Sequence, residues 1–110
     1  MSDMELLLEC RRLAQEAALL EHQLGPEGEL EEQTAPKLRQ LLENNRRARA
    51  DLSPGLEKVI RCSPSGRQRQ ILRQYYSLGL TDGSIAASMG CSRKAVNKQR
   101  NAFVRGVAQA

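Results

Sequence analysis

Leu6, Cys10, Leu13, Ala17, Leu20 and Leu24 are separated by 4, 3, 4, 3 and 4 residues. An α-helix brings residues at that spacing onto one face, and the alternation of fours and threes is the apolar seam of a coiled coil. The pattern has readable ends. Ser2 stands at an N-cap position with Glu5 three residues on, as in a capping box. Gly25-Pro26 stops it, because glycine takes the left-handed C-terminal position and proline cannot continue the helix. A helix over Asp3–Leu24 is about 33 Å long at ~1.5 Å per residue.

A second helix is predicted after a connection at 25–34, in which 29–33 has the composition of one more helical turn. Thr34 reads as its N-cap and Pro36 fits its first turn. Leu38, Leu42, Asn45, Arg49 and Leu52 repeat the 4-3 spacing, but Asn45 and Arg49 put polar groups into the seam. Such residues specify register or oligomeric state at a cost in stability. The basic run 44–49 reads either as a solvated face or as a partner for the acidic first helix. Two helices with narrow apolar stripes cannot enclose a thick core alone. Homodimerisation through Leu6, Leu13, Ala17, Leu20 and Leu24 is the economical expectation, and an intramolecular hairpin is the alternative.

Charge divides the chain. Residues 1–35 carry nine acids and two bases, a net of −7. Residues 36–60 carry +3, and residues 61–110 carry +8, with Asp82 the only acid in that last stretch. A basic half so poor in acids has the electrostatic footprint of a phosphate-binding surface. The asymmetry predicts two modules, a helical dimerisation region at 1–52 and a second domain at 53–110.

The 110 residues are too few for a doubly wound sheet or a large barrel. No apolar run approaches the ~18 residues of a membrane span, and the start, Met1-Ser-Asp-Met-Glu, is not a signal peptide. Cys10, Cys62 and Cys91 form neither a disulfide framework nor a zinc pattern, so a reducing cytoplasm is expected. His22 is the only histidine, and no phosphate loop, nucleophile elbow or metal-ligand spacing occurs. The glutamates at 27–32 read as an acidic connection. No enzyme activity, metal or cofactor is expected.

The second half is punctuated by helix starts. Ser53-Pro54 and Ser63-Pro64 each read as an N-cap followed by a first helical residue. The first would open a short helix with Leu56, Val59 and Ile60 inside. The second would open one with Ile71, Leu72, Tyr75, Tyr76 and Leu78 inside, ending at Gly79. Thr81 caps a third, and Ser92 caps a fourth through Ala95, Val96, Phe103, Val104 and Val107. Gly90 makes the turn between the last two, and Ile85, Met89, Cys91, Ala95 and Val96 fill the wedge between them. The result is an all-α chain: a long helical hairpin or coiled coil, then a compact helix-turn-helix unit.

With Val96 inward, Arg93, Lys94, Asn97, Lys98 and Asn101 fall on the outer face of the last helix. Arginine and lysine suit guanine O6 and N7, and asparagine suits adenine N6 and N7. These five residues are the candidate base readers in a major groove. Ser92, at the helix start, and Arg67, Arg69, Arg73 and Arg105 are the candidate phosphate contacts.

The segment from Gln70 to Val107 contains Tyr75-Tyr76, Ile85-Ala86, Gly90, Ser92 and Val96 in a fixed layout. It resembles region 4 of sigma-70-type factors, and more closely the small phage and prophage regulators of the ArpU/RinA type. The resemblance covers about 40–55 residues; it departs at Gly83 and Ser84, and at Gln99 and Arg100, where the family often has a bulkier apolar residue. It implies binding of double-stranded DNA, transcription control and contact with RNA polymerase. A protein-interaction adaptor and a small-terminase-type packaging component are the alternative readings.

Overall fold

The computed structural model describes residues 1–25 and 34–109, so the acidic connection at 27–32 lies outside the described residues. Those residues form five α-helices: α1 (Asp3–Leu24), α2 (Ala35–Arg61), α3 (Gly66–Leu72), α4 (Asp82–Met89) and α5 (Arg93–Gln109). α3 runs on into a π-helical turn over Arg73–Ser77. The architecture is all-α, with a long α1–α2 hairpin followed by a compact unit of shorter helices. No helix among the described residues is long and apolar enough to cross a membrane.

α1 starts as its cap residue dictates. The Ser2 hydroxyl accepts from the Glu5 amide at 3.1 Å, and Gly25 closes the helix with φ +55°. Leu7, Cys10, Leu13, Ala14, Ala17 and Leu20 are buried, while Leu6 and Leu24 lie at the edges of that stripe. The stripe is wider than the 4-3 seam because Leu7 and Ala14 join it. It packs on α2 and on the C-terminal unit of its own chain. Leu13, Ala17 and Leu20 are therefore not a free dimer seam. A dimer built on Leu6, Leu13, Ala17, Leu20 and Leu24 would first have to open this hairpin.

The polar seam residues of α2 acquire a specific use. Asn45 is buried, and its Nδ2 donates to the Leu13 carbonyl and to Glu16 Oε1, both at 2.9 Å. Its Oδ1 accepts from Arg49 Nε at 2.7 Å. A buried amide costs stability unless its donors and acceptor are satisfied, so this one pins the register of the hairpin. The basic run does not ion-pair with α1. Arg46 and Arg47 both pair with Glu43 on their own helix.

Several predicted helix starts move. α2 continues without interruption through Ser53 and Pro54 to Arg61, so no helix begins at 54 and the 52/53 boundary falls inside α2. Proline in a helix interior removes the bond to the carbonyl four residues back, at a cost of about 3 kcal/mol. Burial of Leu56, Val59 and Ile60, on the far side of Pro54, outweighs that cost. Ser65, not Ser63, caps α3: its hydroxyl accepts from the Gln68 amide at 3.2 Å. Ser63 is instead buried and donates to Gln68 Oε1. Thr34 has helical dihedrals and no capping hydrogen bond from its side chain. Leu78, assigned to the interior by its spacing, is 60% exposed, because the π turn shifts the register by one residue.

Two cores organise the molecule. One joins Leu7 and Cys10 of α1, Leu56, Val59 and Ile60 of α2, Leu72 and Tyr76, and Phe103 of α5. The other lies within the C-terminal unit: Ile71, Ile85, Ala86 and Val96, flanked by Leu80, Met89 and Cys91. The first core crosses the whole chain, so hairpin and C-terminal unit are packed together. At Gly79, φ is +71° and an added Cβ would stand 3.2 Å from Ala14 Cβ and the Gln15 amide. Only glycine satisfies both the dihedral and the approach of α1.

Candidate nucleic-acid interface

α4 and α5 form the helix-turn-helix. The Thr81 hydroxyl accepts from the Ser84 amide at 3.2 Å and starts α4. Gly90, in the left-handed conformation at φ +66°, ends it. The Ser92 hydroxyl accepts from the Ala95 amide at 3.0 Å and starts α5. Val96 and Phe103 hold the inner face of α5 in the two cores. On the flank, Gln68 of α3 donates to the Gln99 carbonyl at 3.0 Å and fixes the tilt of α5.

The five candidate base readers are all exposed. At about 100° per residue, Lys94, Lys98, Asn101 and Arg105 fall within ~40° of the line opposite Val96. Asn97 and Arg93 sit on the flank nearer α4. Among the described residues, Arg93, Lys94 and Lys98 make no ion pair and no side-chain hydrogen bond. The two asparagines do. Asn97 Nδ2 donates to Asp82 Oδ2 at 3.2 Å, and Asn101 Nδ2 donates to Asn97 Oδ1 at 2.9 Å.

The phosphate candidates divide. Arg67 is exposed and lines a cavity of about 210 Å³ with Cys91, Ala95 and Gln99, which sets it beside the start of α5. Arg105 is exposed on the outer stripe, with only a long 3.4 Å bond to the Asn101 carbonyl. Arg69 and Arg73 are used internally: Arg69 donates to the Ser63 carbonyl at 2.6 Å, and Arg73 pairs with Glu57 of α2 at 3.0 Å. Ser92 spends its oxygen on the helix cap.

Sequence reasoning missed the group that supports this face. Asp82 and Arg100 form a two-point pair: Nε to Oδ1 at 3.2 Å and Nη2 to Oδ2 at 3.0 Å, with both side chains about 85% buried. The Arg100 guanidinium lies 4.2 Å from the centre of the Tyr75 ring, and Arg11 of α1 lies 3.5 Å from the same ring. Arg11 also donates to the carbonyls of Tyr75 and Leu80, at 2.6 and 3.0 Å. The bonds from Arg100 hold the Asp82 carboxyl below the usual carboxylate range; partial burial opposes this and the Asn97 amide adds to it. Burial pushes the Tyr76 phenol up. One signal for the pair was in the sequence: Asp82 is the only acid in residues 61–110.

No protein-family model, no curated protein and no solved structure matches this chain.

Proposed function

We propose that this protein binds double-stranded DNA sequence-specifically and regulates transcription, with α5 lying in the major groove. The observation that carries the reading is the outer face of α5. It presents Lys94 and Lys98 opposite the buried Val96 and Phe103, with Arg93 on the flank at the helix start, all three without internal partners. Asp82, the acid that α4 brings beside it, is paired with Arg100. A 17-residue helix is about 25 Å long, and a major groove ~12 Å wide accepts it side-on. Arg67 and Arg105 flank it as phosphate contacts. The regulatory role rests on the likeness of residues 70–107 to sigma-70 region 4 and the ArpU/RinA-type regulators.

Selection from a random duplex pool at two salt concentrations tests the reading. Phosphate contacts alone give binding that falls steeply as salt rises. The expected result is an enriched sequence that survives the higher salt. Replacing both Lys94 and Lys98 by Ala should then cost tenfold or more in affinity and relax the sequence preference. A pool without enrichment at either salt overturns it. An inverted repeat in the enriched sequence would place two copies about a two-fold axis. Those copies would meet through a surface other than the α1 stripe, which one chain buries within itself.

A further inference from the structure

The outer face of α5 carries both kinds of base reader, cations and amides, and they stand in different circumstances. The amides belong to a polar ladder whose polarity is set from one end. The Asp82 carboxylate only accepts, so Asn97 must turn its Nδ2 toward it, at 3.2 Å. That leaves Asn97 Oδ1 facing down the helix, where it accepts from Asn101 Nδ2 at 2.9 Å. Asn101 Oδ1 is in turn 3.5 Å from Arg100 Nη1. The ladder runs from the first turn of α4 to the middle of α5, and Arg100 anchors it at both ends. An asparagine reading adenine needs its oxygen and its nitrogen at one base edge. Asn97 would have to give up a charge-assisted bond and an amide bond to turn outward, and Asn101 an amide bond and a long bond from Arg100. Lys94 and Lys98 lie beside them on the outer stripe and Arg93 stands at the helix start; these three give up nothing.

We infer that Arg93, Lys94 and Lys98 are the base-reading residues of α5, that Asp82, Asn97 and Asn101 are positioning residues tying α5 to α4, and that the DNA recognised is guanine-containing at the contacted steps. This inference rests on the DNA-binding reading above. Lysine and arginine seek two acceptors on one edge, and guanine O6 and N7 are the major-groove pair that supplies them. The ladder sets the angle between the two helices and holds the Asp82 charge away from the groove. Asn97 is therefore a positioning residue that acts through Asp82 and α5.

The test starts from the duplex enriched by the full chain. Guanines in that duplex are replaced one at a time by 7-deazaguanine, which lacks N7, and adenines by 7-deazaadenine. The inference expects about a tenfold loss of affinity at one or more guanines and less than a twofold loss at every adenine. It expects Asn97→Ala and Asn101→Ala to enrich the same bases as the parent chain, whatever their overall affinity. Loss at an adenine, or a change of preferred base in either asparagine variant, overturns it and leaves DNA binding standing. Enrichment that no deaza substitution affects also overturns it, because the preference would then come from DNA shape. A parent chain that enriches nothing overturns the DNA-binding reading itself, and this inference with it.

Discussion

Arg46 and Arg47 on α2 look, in sequence, much like Lys94 and Lys98 on α5. Each pair sits in a run of bases and amides on a long helix. Their surroundings differ. Glu43 lies one turn before Arg46 and Arg47 and pairs with both. No acid accompanies Lys94 and Lys98 on α5, and the one acid that α4 brings near is occupied by Arg100. The same contrast holds for polar groups. Asn45 spends its amide inside the hairpin to set register, whereas the Asp82 ladder surfaces on the face of α5. The basic run of α2 is paired within its own helix, whereas Arg93, Lys94 and Lys98 of α5 stand without partners.

That contrast does not make two independent bodies, and the largest predicted effect tests this. Ile60 of α2 is fully buried in the core shared with α1, Tyr76 and Phe103. Ile60→Ala should cost about 3–4 kcal/mol. Urea unfolding followed by far-UV circular dichroism, which reports mainly the long hairpin, and by tyrosine fluorescence should move together. Both tyrosines lie in the C-terminal unit, at 75 and 76. Two separated transitions would break the shared-core description.

Next in size is the lock between the regions. Arg11 and Arg12 are neighbours that point apart. Arg12 pairs with Glu9 and Glu16 on the solvent side of α1. Arg11 crosses to the C-terminal unit, donates to two carbonyls and stacks on Tyr75. Hydrogen bonds to a charged group are worth more than neutral ones, so Arg11→Ala should cost about 2–3 kcal/mol. Arg12→Ala should leave the urea midpoint in place, because its pairs are solvated. Equal effects of the two substitutions would erase the distinction between solvated surface and lock.

A smaller effect depends on pH. The folded Asp82 carboxyl is held below its unfolded range, first by its bonds to Arg100. Its contribution is therefore complete above the unfolded carboxylate range and is lost as pH falls through the depressed folded value. Asp82→Asn should cost about 2 kcal/mol at pH 7, and the difference from the parent chain should shrink as pH drops toward 3. A difference that stays constant with pH would mean that the pair contributes shape rather than charge.

The comparison also marks what the sequence could show. The helical class, the α1 limits, the Thr81 and Ser92 caps and the Gly90 turn are local, and local signals are readable. Pro54 misled because the burial that carries α2 past it comes from residues distant in sequence. Leu78 misled because a π turn adds one residue to the period. Arg11, Asp82 and Arg100 form one cluster from three places in the chain, and spacing along a helix says nothing about partners on another. The exposed face of α5 was legible for the opposite reason: Lys94, Lys98 and Asn101 need only lie away from Val96, although Arg93 and Asn97 fall on the flank near α4. Which of them are free depended on Asp82, 15 residues before Asn97.

The smallest predicted effect bears directly on the opening contrast. Arg46 and Arg47 are highly exposed, and together they exceed the charge of Glu43, so a purely electrostatic view of DNA binding would count them beside Lys94 and Lys98. Ion pairs this exposed are weak, so the expectation rests on the place of Arg46 and Arg47 on α2, outside the α5 face. Their remaining long-range field is screened over ~8 Å at physiological salt. Arg46→Ala combined with Arg47→Ala should thus change affinity for the enriched duplex less than twofold and leave the salt slope unaltered. A fall in the slope by about 2, as for two lost phosphate contacts, would show that DNA extends onto the hairpin. The hairpin would then be part of the binding surface, and the partnerless cations of α5 only its specific portion.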